Sequence, residues 1–342
     1  MRPSPLSPAP PDASAAAAGT VALVENPTQL LNVLELAQRA DGAGAAPVRV
    51  AVLAPGAGRT RDELRAVVAL AREEGLAVTW QEPRTGGASV ARTLRGLLDA
   101  LGPARRLVLG DPFSGLAQVL VGLLAPAELV VVDDGATTLE LARRLGAGEG
   151  PHRRLVRGGA TRLRLFTCLP LDEVALRPAG VAVDAYAWTR RRWCAPEVLD
   201  GVDLVGSPVV AAGAVDAGSY LSSVTRLVEG LGVTRYLADR RETEATLAQV
   251  RALGVEVVRP ALPLEAALRH GPVAPTVVCF PSAAVHTLPA VLAGTGVLAL
   301  VCAVPDRWRV PALDRAATAL LRRPAPVDPT GSVDHALTAV AC

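Results

Sequence analysis

The sequence predicts an α/β chain built as two doubly wound parallel-sheet halves that face a central cleft. Three observations predict it. Short β-branched runs alternate with amphipathic stretches along most of the chain, as parallel strands alternate with their crossover helices. The alternation lapses between about Thr167 and Asp200, where no periodicity holds and Pro170, Pro178 and Pro196 fall. It then starts again. At 342 residues there is room for two cores of ordinary size.

In the first half TVALV (Thr20–Val24) reads as a strand and Thr28–Arg39 as a helix. The pattern continues with a strand over Val48–Ala54, a helix near Arg61–Glu74 and a strand at Leu76–Trp80. A helix near Ser89–Leu101, a strand at Arg106–Gly110 and a helix over Phe113–Leu124 follow. ELVVVDDG (Glu128–Gly135) is an apolar strand opening into a helix that ends near Leu145, and TRLRLF (Thr161–Phe166) closes the half. The second half runs strand Asp203–Ser207, helix Asp216–Leu231, strand Thr234–Ala238, helix Arg241–Leu253 and strand Val255–Pro260. Helix Leu264–His270, strand Thr276–Ser282, helix Ala283–Ala293, strand Val297–Ala303 and a last helix over about Pro311–Arg322 complete it. The divisions expected are a disordered Pro/Ala/Ser-rich tail at 1–18, domains at 19–180 and 181–325, and a weakly patterned tail at 326–342.

Composition removes several classes. The chain has no lysine, which excludes a Schiff-base lysine, a phosphate-loop lysine and a lysine general base. A net charge of +2, with arginines interspersed among acids, is not the balance of a nucleic-acid binder. No apolar run approaches the roughly 20 residues of a membrane span, and the opening stretch lacks the apolar centre of a secretory signal, so a cytoplasmic location is expected. The five cysteines show no paired spacing. Cys279 and Cys302 fall in apolar strands and read as buried thiols; neither a disulfide framework nor a zinc site is indicated. The apolar, aromatic-poor composition is compatible with a homodimer.

In doubly wound sheets ligands sit beyond the carboxyl ends of the strands. Those exits hold the polar candidates. Asp133 and Asp134 leave an apolar strand together and meet Gly135, which permits a tight turn; neighbouring carboxylates couple, and one can rise into the range of a general base. The alternative makes Asp134 a helix cap and Asp133 a solvated strand end. Asp111 and Ser114 in GDPFSG either cap a helix or turn amides toward an acceptor or a phosphate. Gly206 and Ser207 close another strand. Asp239, Arg240 and Arg241 precede a helix, where the arginines pair either with a phosphate or with surface Glu242 and Glu244. Pro260 and Glu265 follow the next strand, and a carboxylate there can hold ribose hydroxyls. Ser282 starts a helix as a phosphate contact or a plain cap, with Ala283 beside it and His286 a turn further on.

Taken in order, VENPTQLLNVLEL, GDPFSGL, VVVDDGATTLEL, LFTCLP, LVGSPVVAAGAVDAGSYL and YLADRRETEATLAQVRALGVEVVRPALPLE resemble the bacterial sialyltransferase and polysialyltransferase group, which uses CMP-activated sugars; the likeness runs to about Leu288. The resemblance implies two Rossmann-like domains of the GT-B type, an inverting transfer of a sialic-acid-like sugar from a CMP-sugar to the hydroxyl of a glycan or other acceptor, no prosthetic group and no metal. By position it implies Asp133 as the general base, Asp134 and Gly135 shaping its site, and Gln29 and Asn32 lining the acceptor side. It implies Glu265 on the CMP ribose and Ser282 on the phosphate. Two positions depart from the group: Asp239 stands where a histidine is usual, and Ala283 where a second hydroxyl is usual. The alternatives are a non-catalytic nucleotide- or glycan-binding relative, or an enzyme of another nucleotide-sugar, such as an epimerase using UDP.

Overall fold

A computed structural model describes residues 19–39, 48–56, 58–82, 87–102, 104–148, 162–177, 179–211, 213, 215–303 and 338–341. The helix expected over Pro311–Arg322 and the tail at 1–18 lie outside them.

Two parallel sheets form the frame, as the alternation predicts. The first has seven strands in the order β3-β2-β1-β4-β5-β6-β7. They are β1 (Thr20–Val24), β2 (Arg49–Leu53), β3 (Ala77–Gln81), β4 (Arg106–Leu109), β5 (Glu128–Val132), β6 (Arg162–Thr167) and β7 (Gly180–Val183). The crossovers are α1 (Pro27–Ala37), α2 (Arg59–Glu73), α3 (Gly87–Leu101), α4 (Gly115–Leu124) and α5 (Ala136–Gly146). The second sheet repeats the pattern as β10-β9-β8-β11-β12-β13. Its strands are β8 (Val202–Val205), β9 (Val233–Leu237), β10 (Glu256–Val258), β11 (Thr276–Cys279), β12 (Leu298–Ala303) and β13 (Thr338–Ala341). The helices α7 (Ala217–Leu231), α8 (Glu244–Arg251), α9 (Leu264–His270) and α10 (Ala284–Leu292) connect them. In each sheet the chain reverses direction beside its first strand, so each has a switch point where a ligand crevice opens, at β1/β4 and at β8/β11.

Hydrophobic periodicity explains the layers. β1, β4 and β5 are apolar on both faces because helices cover both, and residues such as Val21, Ala22, Val108 and Val130 are almost wholly buried. Alternate residues serve different cores: Ala22 and Val24 join α1 and α2, while Val21 and Leu23 join α3 and α4. The first core crosses the domain boundary, since Ala266 and Val291 from the second half pack into it.

Three segments differ from the sequence reading. The stretch read as patternless holds β7, which pairs with β6, and α6 (Ala187–Arg192). Helix α6 exists through long-range help: the Glu35 carboxylate accepts from the Trp188 and Thr189 amides at 2.8 and 2.7 Å, filling the donors that a helix start leaves open. Thr338–Ala341, in the segment read as a tail, is the edge strand beside β12. Cys302, read as a buried thiol, is disulfide-bonded, whereas Cys279 is a buried thiol pushed up to about 12 by burial.

Candidate functional site

The exits of β1, β4 and β5 meet at one end of the first sheet. Asn26 caps α1, its Oδ1 accepting from the Gln29 amide at 3.0 Å, and Pro27 supplies the fixed φ that suits a first helical turn. That cap aims two side-chain amides at β5. Asn26 Nδ2 donates to Asp134 Oδ1 at 3.0 Å and Gln29 Nε2 to Asp134 Oδ2 at 2.9 Å. Gln29 lies directly over Gly110, where its side chain occupies the space a Cβ would need. Glycine is therefore required at the end of β4.

The two aspartates have separate surroundings. Asp133 extends β5 by one residue, its amide donating to Phe166 O at 3.0 Å, and its side chain is only 3% exposed. Its Oδ1 accepts from the Gly135 amide at 2.8 Å and its Oδ2 from the Thr167 hydroxyl at 2.7 Å, with Cys168 Sγ 3.7 Å away. Asn32 Nδ2 donates to the Asp133 carbonyl at 2.8 Å. Gly135, at φ +58°, makes the turn into α5. Asp134 sits on the cleft side of that turn, half-buried. Burial raises its carboxyl from 3.8 to about 6, against the amides of Gln29 and Asn26 and the charge of Arg240, all of which lower it. The cap-and-solvated-end alternative of the sequence reading fails on both counts: Asp133 is not solvated, and Asp134 makes no capping bond to α5.

Asp111 turns its own loop, Oδ1 accepting from the Phe113 amide at 2.8 Å. Ser114 occupies the cap position of α4 without capping it; its hydroxyl pairs with Glu25, a carboxyl raised by burial.

From the second domain the exits of β8, β9, β10 and β11 face this cluster. Arg240 crosses the cleft, its Nη1 lying 3.4 Å from Thr28 Oγ1 and 3.6 Å from Glu63 Oε2. It acts on the Asp134 and Glu265 carboxyls as well, lowering both. Arg241 points elsewhere, pairing with Asp239 at 3.4 Å with more than half of its side chain exposed. Asp239 therefore finds its cation in Arg241 and leaves Arg240 to the cleft. Glu265 is buried on α9 and accepts from the Thr287 hydroxyl at 2.9 Å; burial raises its pKa. Ser282 Oγ accepts from the Ala284 amide at 3.2 Å at the start of α10. A Cβ placed on Gly135 would stand 3.3 Å from that of Ala283, so the β5 and β11 exits touch across the cleft. Burial lowers the His286 pKa while Asp133 raises it; burial dominates, and the ring is neutral at pH 7. Ser207 is buried, its amide donating to the Tyr220 hydroxyl at 3.1 Å and its own hydroxyl unpartnered. Pro260 lines a cavity between the domains and its carbonyl accepts from Arg59.

Sequence reasoning missed three groups here. Asn26 was legible as a cap beside Pro27 but not as a ligand of Asp134. Glu63 lies on α2 one helical turn before Val67 of the apolar face, so it borders the core; burial raises it to about 7 against the pull of Arg240. Glu242, read as a surface partner for the arginines, is buried instead. It accepts from the Tyr236 hydroxyl at 2.5 Å and the Asp239 amide at 2.8 Å, Tyr236 is 2.6 Å from the Tyr220 hydroxyl, and burial raises Glu242 to about 7. This chain of groups sits under Gly206, where a Cβ would meet the Glu242 carboxylate and the Tyr236 ring. Among the described residues no group of three or more His, Cys, Asp or Glu is arranged to hold a metal ion, and no helix is long and apolar enough to cross a membrane.

No family model and no curated protein matches the chain. Solved structures do. A Listeria monocytogenes protein assigned as a UDP-N-acetylglucosamine 2-epimerase is similar at 13% identity, over 83% of this chain and 79% of that one, with a TM-score of 0.51. The heptosyltransferase WaaC of E. coli with ADP matches at 12% identity over 84% and 88% (TM-score 0.45), and MurG of Acinetobacter baumannii at 14% over 88% and 81% (TM-score 0.39). The fold is that of a two-domain GT-B-type α/β protein. At such identities the likeness speaks to fold alone.

Proposed function

We propose that the chain is a glycosyltransferase that moves a sialic-acid-like sugar from a CMP-sugar to an acceptor hydroxyl with inversion, and that Asp134 is its general base. The observation that carries this reading is the Asp134 carboxyl, raised to about 6, gripped by the Asn26 and Gln29 amides and facing Arg240 from the other domain. A base with that pKa is ionised at neutral pH yet basic enough to take a proton in the transition state. Asp134 takes the acceptor proton, the hydroxyl oxygen bonds to the anomeric carbon, and the bond to the CMP phosphate oxygen breaks with its electrons leaving on phosphate. The base moves from Asp133 to Asp134 because the Asp133 carboxylate is almost wholly buried, whereas Asp134 is part-exposed on the cleft side of the turn.

The leaving phosphate develops charge beside Arg240, and the Ser282 hydroxyl at the start of α10 offers it a donor. Arg240 supplies the cation that Asp239 cannot. Neutral His286 offers a hydrogen bond without charge. Gln29 and Asn32 support the base, Glu265 is offered to the ribose, and Asp111 and Ser114 shape the acceptor-side loop. In this reading no metal takes part.

A second reading, an epimerase of a UDP-sugar, draws on a separate observation: Asp134 and Glu63, at about 6 and 7, flank Arg240 as a pair able to give and take protons. Incubation with CMP-sialic acid and with UDP-N-acetylhexosamine, with and without lactose as acceptor, separates the two by mass spectrometry and sugar analysis. Transfer from the CMP donor supports the first reading; epimerised UDP-sugar without transfer replaces it with the second.

A further inference from the structure

A cavity of about 200 Å³ opens between the domains beside the reacting groups, sharing Arg240 with the transfer chemistry proposed above, which assigns the cavity no part of the donor. Arg59 and Glu63 of α2 form one wall; Ala238, Arg240 and Pro260, after β9 and β10, form the other. Glu63 is 9% exposed and its Oε2 accepts no hydrogen bond, the nearest charge being Arg240 Nη1 at 3.6 Å. A buried carboxylate oxygen without a donor costs free energy, and a ligand N–H entering the cavity would remove that cost.

The sheet says which part of a nucleotide reaches this place. Phosphate belongs at the β8/β11 switch point, near Ser207 and Ser282, and the remainder of a nucleotide can run along the strand exits toward β9 and β10. The cavity lies at those exits. Its volume falls below the roughly 300–1,000 Å³ that encloses a drug-sized ligand and suits a single heterocycle. Ala66, Ala238 and Pro260 give apolar faces, and Arg59 is held at the rim by the Arg259 and Pro260 carbonyls at 3.4 and 3.3 Å.

We propose that this cavity is the nucleobase subsite and that Glu63, a residue of the opposite domain, selects a base carrying an exocyclic amino group by accepting its N–H. The inference rests on the nucleotide-sugar reading above and adds to it a specificity residue. A keto oxygen at the same position meets the carboxylate oxygen and is rejected. Cytosine is therefore favoured over uracil. The charged groups that act on Glu63 are Arg240 and Arg59, which lower its pKa, and Asp239 and Glu265, which raise it. At pH 8.5 it is ionised.

The test is calorimetric titration of the full chain at pH 8.5 with CMP and with UMP, for the wild type, Glu63→Gln and Ala66→Leu. The wild type binds CMP at least about tenfold more tightly than UMP, the worth of one hydrogen bond to a charged group. Glu63→Gln brings the two within about threefold, because an amide can turn to present either a donor or an acceptor. Ala66→Leu fills the cavity and weakens CMP at least about tenfold with the unfolding temperature unchanged. Equal binding of CMP and UMP by the wild type, or a preference that survives in Glu63→Gln, overturns the subsite while leaving the transferase reading intact. If the wild type binds none of CMP, UMP, AMP and GMP, both fall.

Discussion

Gln29 donates through Nε2 to Asp134 Oδ2 at 2.9 Å while its Oε1 accepts from the Glu25 amide at 2.7 Å, so one amide ties the exit of β1 to the carboxylate at the exit of β5. The orientation of the Gln29 side chain is fixed by this pair of bonds. Asp134 is held in one rotamer, facing the second domain.

The pH profile follows from this bond. Asp134 must be ionised to act, so kcat/KM rises with pH through about 6 and levels off above it. In Gln29→Met the bond that lowers the Asp134 pKa is gone, worth about 1 kcal/mol. The acid limb then moves to higher pH, while the plateau falls less than at pH 6. Initial rates in buffers from pH 5 to 8 check it.

Gly110→Ala tests the same contact sterically. The new methyl group takes the space of the Gln29 side chain, and overpacking of this kind costs about 1–3 kcal/mol. The variant unfolds at lower temperature and loses at least about tenfold in kcat. Scanning calorimetry and initial rates measure the two effects.

Asp133→Asn changes stability first. Asparagine can accept at one position only, so either the Gly135 amide or the Thr167 hydroxyl loses its buried acceptor, at about 1–3 kcal/mol. Denaturant unfolding shows a lower midpoint with an unchanged slope, and transfer continues at a reduced rate.

Arg240→Ala removes the cation that spans the cleft. Loss of one donor to a developing oxyanion costs about 3 kcal/mol, or about a hundredfold in kcat. The CMP-sugar KM rises as well, because Arg240 meets the phosphate before reaction. Steady-state kinetics against donor concentration reports both.

Stability itself depends on pH in a stated direction. Glu63 and Glu242 are raised from 4.5 to about 7, and Asp134 from 3.8 to about 6. Across roughly pH 4 to 7 the folded chain binds more protons than the unfolded one, so stability falls as pH rises through that window. The summed change is at most about 10 kcal/mol. Below pH 4 Glu140, drawn down to about 2 by Arg143 and Arg144, works in the opposite sense. Urea unfolding at pH 5, 6.5 and 8 checks the slope, and Glu242→Gln flattens it.

Much of the frame was legible in the sequence because alternation of strand and helix is a local property. Thr20–Val24 and Leu264–His270 match the expected bounds, whereas the strand order that sets the two switch points comes from the structure. What depends on distant contacts was not legible. Helix α6 is six residues long and starts on the Glu35 carboxylate, which lies 153 residues away from Trp188 in the chain. Strand β7 is short and half exposed, without a clean alternation. Asp133 and Asp134 lie at the strand exit where the sequence reading puts them, but their separate surroundings depend on one turn. Hydrogen bonding continues one residue past β5, which places Asp133 beside Thr167, and the φ of Gly135 turns Asp134 outward; composition carries neither fact. Glu63 left a trace, a carboxylate bordering an apolar helix face.

The direct measurement of the central claim is single-turnover transfer from CMP-sialic acid to lactose by the wild type, Asp134→Asn and Asp133→Asn, followed by mass spectrometry at pH 7.5. Product is expected from the wild type and, more slowly, from Asp133→Asn, with a loss of about 10²–10⁴-fold in Asp134→Asn while CMP still binds. Transfer at the wild-type rate by Asp134→Asn would contradict the account.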